Sequence, residues 1–175
     1  MKKLLILVFL LLFTTVPLSP EATSEMTTRS DVFAFLKDAF KAQVSLSEKS
    51  RTKQEIQAIE NPYFSDHYQQ LFWKANIVEE KGKFLTYGSD FAPYYIPYYQ
   101  FSNKTKVVFL PNQIYVFEYF PEKLDGPVGY KSHYEGLLIK KGAQGEGWKV
   151  DKYLFNQIPK EIIAKGNNRT EGLTF

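Results

Sequence analysis

Ile114-Tyr115-Val116-Phe117-Glu118-Tyr119-Phe120 is apolar or aromatic at odd and even positions alike, interrupted by a single carboxylate. Successive side chains of an extended chain point to opposite faces, so this stretch is predicted to be a strand covered on both sides. One cover is legible upstream. Ser30 reads as the N-cap of a first helix, with Val32, Leu36, Ala39, Phe40 and Val44 at helical spacing and an end near Leu46. A second helix is signalled by Ser50 or by the Thr52 to Glu55 capping box and stops at Asn61-Pro62. A third starts at Ser65 and puts Tyr68, Leu71, Phe72 and Ala75 on one face. From Gly82 the period changes to two, and strands are predicted at 83–87, 94–101, 106–110, 114–120, 130–141 and 147–154, joined mostly by short turns. Helices followed by strands predict an α+β domain: three N-terminal helices packed on one curved antiparallel sheet of five to six strands. Three covers are open for the far face of 114–120: the curl of the sheet, a partner subunit, or a ligand.

The first residues carry an address. Lys2 and Lys3 precede an apolar run from Leu4 to Phe13, then Pro17 and Pro20, and then the small residues Ala22-Thr23-Ser24. Residues 1–24 are thus predicted to be a signal peptide cleaved between Ser24 and Glu25, with an uncleaved anchor as the alternative. The apolar run is shorter than the roughly 20 residues a membrane span needs, so no integral span is expected after cleavage. Residues 25–29 read as a linker, 30–165 as the single domain and 166–175 as a flexible tail. The expected location is secreted or cell-surface. The chain has no cysteine, which excludes lipid attachment and disulfides. Its formal charge of +3 is too weak to argue for nucleic acid.

Element order and a few short motifs carry a family resemblance. Three amphipathic helices followed by a curved sheet ending in Gly147-Trp148-Lys149-Val150-Asp151-Lys152-Tyr153 resemble the nuclear-transport-factor-2-like cone fold. Asn61-Pro62-Tyr63-Phe64-Ser65 and Ile158-Pro159 resemble an uncharacterised family of small exported proteins from spore-forming Gram-positive bacteria. The resemblance implies a fold rather than an activity. Enzymes of that superfamily hold a carboxylate, sometimes with a histidine, inside the cone, and many relatives only bind.

The chemistry is sparse and the aromatic content high, with 12 Tyr and 15 Phe. Two histidines and no thiols supply no closed metal site, and no cofactor is expected. His67 reads as exposed in a first helical turn, and the consecutive Ser65-Asp66-His67 cannot form a hydrolase triad. His133 and Glu135 share one strand face and make an acid–base pair or a surface pair. Glu118, alone in its apolar strand, must be solvated at an edge or find a donor such as a tyrosine hydroxyl; inside a cone it is a candidate base. In 91–101, Pro93 and Pro97 mark an edge strand or bulged entry, and alternation puts Tyr95, Tyr99 and Phe101 on one face and Tyr94, Ile96 and Tyr98 on the other. The leading expectation is an exported, non-catalytic binding module whose tyrosine-lined concave sheet face takes a small ligand, a cell-wall fragment or a protein segment. Its candidate residues are Tyr95, Tyr99, Tyr115, Tyr119, Tyr134, Glu118 and His133. The alternatives are an acid–base enzyme using Glu118 or His133 with Glu135, and a structural homodimer.

Overall fold

The computed structural model describes residues 25–88, 92–124, 129–142 and 146–168; the expected signal peptide lies outside them, as do residues 169–175 of the expected tail. Helix α1 (Arg29–Ser45) is capped by Thr28, two residues before the expected Ser30. Asp31 decides this, because its carboxylate accepts the Thr28 N–H at 2.8 Å while the Thr28 hydroxyl accepts the Asp31 N–H, closing a reciprocal box. Helix α2 (Lys53–Glu60) starts on the Thr52 and Glu55 box, and α3 (Asp66–Asn76) on Ser65. Strands β1 (Val78–Glu80) and β2 (Lys83–Leu85) form a hairpin whose turn residues Lys81 and Gly82 both have positive φ, 51° and 76°. Strands β3 (Lys106–Leu110), β4 (Gln113–Phe120), β5 (His133–Lys141) and β6 (Trp148–Phe155) follow, and α4 (Lys160–Asn168) closes the described chain.

The architecture is α+β, and two expectations about it are corrected. Among the described residues there are four helices, and the strands form two antiparallel sheets of two and four strands that do not close into a barrel, in place of one curved sheet of five to six. The larger sheet is a meander, β3-β4-β5-β6. Its inner face, with Ile114, Val116, Leu137, Ile139 and Val150, packs on Val32, Leu36 and Ala39 of α1 and Tyr68 of α3. Its outer face is covered by α4: Ile162, with Ile158 ahead of the helix, packs on Val108, Phe117, Leu138 and Leu154. The second cover of the doubly apolar strand is therefore supplied by the chain itself. Helix α4 approaches so closely that a Cβ added at Gly166 would stand 2.6 Å from Phe117 Cζ, which is why a glycine sits mid-helix and why the order continues past the expected tail boundary.

The predicted strand 94–101 is not a strand. Tyr94 and Phe101 adopt positive φ, 65° and 49°, and Pro93 and Pro97 lack the donor a ladder needs. Side chains do the ladder's work instead. Asn76 Nδ2 donates to Pro93 O at 2.8 Å, Gln43 Nε2 and Tyr68 OH donate to Tyr94 O, and Ile96 N donates to Gln43 Oε1 at 2.9 Å. Gln100 N donates to Glu118 Oε2 at 3.0 Å. The segment is thus an irregular wall fastened to α1, α3 and β4.

Candidate functional site

Between that wall and the end of the meander lies a cleft of about 760 Å³. On the sheet side Phe120 ends β4, His133 starts β5 opposite it, and Phe155 ends β6 opposite Glu135. A bulge brings β6 into the site. Leu138 pairs with Lys152 and Ile139 with Val150, so Asp151 is an extra residue that inverts the side-chain alternation. Val150 before the bulge and Tyr153 after it both pack on the inner core, while Leu154 packs on the α4 side. Tyr153 and Phe155 thereby line the cleft together with Tyr95, Ile96, Pro97 and Tyr98 from the wall. Three rings at its mouth are open to solvent: Tyr98 at 60%, Phe155 at 50% and Tyr130 at 38%.

His133 is the centre of the polar floor. Its imidazole is stacked between Phe120, at 5.4 Å and 10° between planes, and Phe155, at 4.8 Å and 30°, with Tyr130 edge-on at 5.3 Å. Nδ1 is 2.7 Å from the Lys131 carbonyl and Nε2 is 3.0 Å from Glu135 Oε1. A carbonyl only accepts, so Nδ1–H donates to Lys131 O, while Nε2 lies against the Glu135 carboxylate. The Tyr153 phenol hydrogen-bonds Glu135 too, and burial first, then the Glu135 charge and that bond, raise its pKa far above the ordinary phenol range. Asn156 completes the floor, its Oδ1 accepting the Tyr134 N–H at 2.9 Å.

Of the residues singled out from the sequence, Tyr95, His133 and Glu135 line this cleft. Tyr95 is buried, its hydroxyl donating to Thr86 Oγ1 at 3.1 Å. Glu118, cross-strand from Glu135, lies beneath the site. Its Oε2 takes the Thr105 hydroxyl at 2.7 Å as well as the Gln100 N–H, so its donors are a threonine and a backbone amide where a tyrosine was expected. Tyr99 belongs to the core, donating to Val116 O at 3.3 Å. Tyr115 and Tyr134 pack on the α4 side of the sheet, and Tyr119, half-exposed, lies 5.0 Å from Tyr134. The candidate tyrosines are therefore divided between two faces of the sheet and do not form one surface. Tyr98, Phe120, Tyr130, Tyr153 and Phe155 complete the cleft; strand parity alone did not reveal them, because the register and the β6 bulge set which side chains converge. His67 is exposed at the start of α3, beside a second, more polar depression of about 530 Å³. Among the described residues no three His, Cys, Asp or Glu side chains are grouped to hold a metal ion, and no helix is long and apolar enough to cross a membrane.

No curated protein and no solved structure matches the chain. A family model described as Protein of unknown function (DUF3993) matches residues 28–120, more than half of its length. That span runs from the Thr28 cap to Phe120, taking in α1 to α3, the wall and three rings of the cleft, Tyr95, Tyr98 and Phe120, and on this match the chain belongs to the DUF3993 family.

Proposed function

We propose that the domain is an exported, non-catalytic binding module whose ligand occupies the cleft between the 92–98 wall and the ends of β4, β5 and β6. The observation that carries this reading is a cleft of about 760 Å³ lined, among the described residues, by six Tyr and Phe rings, three of them solvent-exposed at its mouth. A cleft of this size, mostly apolar with a few converging polar groups, is the usual form of a small-ligand site. Export rests on the charged, apolar and small-residue order of residues 1–24. In this reading the helices and meander act as the open cone that the sequence resemblance implies, with the cleft at its mouth.

Acid–base catalysis by His133 is the weaker reading. Both ring nitrogens are engaged, by Lys131 O and Glu135, and two phenyl rings hold the imidazole in place, so neither nitrogen faces a substrate. The homodimer reading began from an uncovered sheet face, and α4 covers that face.

The test uses the apolar dye anilinonaphthalene sulfonate as probe. Tyr98→Ser and Phe155→Ser are expected to weaken its binding about tenfold each, or about 1.4 kcal/mol, while Tyr119→Ser on the other face leaves it unchanged. Thermal unfolding of the same variants checks that the fold is retained. Dye binding that survives both cleft substitutions contradicts the reading.

A further inference from the structure

We infer that the cleft takes a neutral saccharide of two or more rings, an inference that rests on the binding reading above and names its ligand class. Charge is the first argument. Glu135 is the one carboxylate among the described lining residues, and it faces the His133 imidazole at 3.0 Å, while Lys131 stands at the lip. The balance offers neither an anion nor a cation a decisive partner. A wholly apolar ligand fits no better, since it would seal the Glu135 carboxylate and the Asn156 amide from water without new hydrogen bonds.

The walls and the floor together select an amphipathic ligand. Tyr98, Tyr130 and Phe155 present rings at the mouth, and Tyr95 and Tyr153 continue the aromatic lining inward. A pyranose has the matching construction: an apolar face of C–H groups that packs on a ring, and hydroxyls around its rim that both donate and accept. The Glu135 carboxylate, held by His133 Nε2 and the Tyr153 phenol, is oriented before any ligand arrives, which lowers the ordering cost of a hydroxyl hydrogen bond. The volume, about 760 Å³, exceeds what one sugar ring fills and lies within the usual range of small-ligand sites.

The experiment is a titration of the isotope-labelled protein with chitotetraose, cellotetraose and maltotetraose, and separately with anilinonaphthalene sulfonate and a tyrosine-rich extended peptide, read by amide chemical shifts. The expected result is saturable movement of the Ile96, Tyr98, His133 and Phe155 amides with at least one saccharide. Tyr98→Ala or Phe155→Ala should weaken that saccharide at least tenfold at unchanged Tm, and Tyr119→Ala should not. If the dye or the peptide moves these amides and no saccharide does, the saccharide inference is overturned and the binding cleft stands. If no probe moves them, both readings fall.

Discussion

Replacing Glu60 by Gln is expected to flatten the fall in stability that the wild-type protein shows between about pH 4.5 and pH 8. Glu60 is the last residue of α2 and is 1% exposed, and among the described residues neither carboxylate oxygen has a hydrogen-bond partner. Burial pushes its pKa from 4.5 up to about 8, and its place at the negative end of a helix acts in the same direction. In that window the folded chain holds a proton that the unfolded chain has released, so stability decreases as pH rises, by about 1.4 kcal/mol per pH unit. The contribution is complete below the unfolded value and lost once the pH passes the folded one. Denaturant unfolding of wild type and Glu60→Gln from pH 4 to pH 9 measures it: their difference should change by several kcal/mol in favour of the variant. The capping carboxylates Asp31 and Glu55, held low by their bonds to Thr28 and Thr52, lose their contribution as pH falls through their own depressed values, below this window. A difference that stays constant across the range would mean that Glu60 is hydrated in solution.

Gln43→Ala is expected to cost about 3 kcal/mol or more, and to loosen the cleft wall beyond its share of the global loss. The Gln43 amide is fully buried and serves both sides of the wall, donating to Tyr94 O and accepting from Ile96 N. Its removal orphans the N–H of Ile96, itself buried, at about 1–3 kcal/mol, and leaves a cavity beside it. Tyr94 O keeps its bond from Tyr68 OH, so the damage should centre on Ile96. Hydrogen exchange distinguishes the two parts: the Ile96, Tyr99 and Gln100 amides should lose more protection than those of β4 and β5. Uniform loss would show that the wall has no stability of its own to lose.

What was legible in the sequence was the local chemistry. The Thr52 and Glu55 box and the Ser65 cap place α2 and α3 correctly because a cap is made by residues three apart. The apolar run at odd and even positions alike located the body of β4, and the strand expected at 106–110 is β3. Tertiary partners defeated the rest. Alternation through 94–101 was present but empty, since two prolines and two positive φ values turned the segment into a wall held by Gln43, Tyr68 and Asn76. Residues 160–168 read as unremarkable and then frayed, yet α4 forms because Ile162 and Gly166 meet Phe117 and its neighbours. At the site, parity put His133 and Glu135 on one face, which the structure bears out. Aromatic content alone added Tyr115, Tyr119 and Tyr134 to the candidates, although these lie on the other face, and Tyr153 and Phe155 reach the cleft only through the Asp151 bulge that inverts β6.

The proposed ligand site is the cleft between the 92–98 wall and the ends of β4, β5 and β6. The most direct measurement is a crystallographic soak of a chemically diverse set of small molecules. The account predicts that bound molecules collect between Tyr98 and Phe155, over the His133 and Glu135 pair. Molecules that leave this cleft empty and gather instead beside Tyr119 and Tyr134 on the α4 side would contradict it.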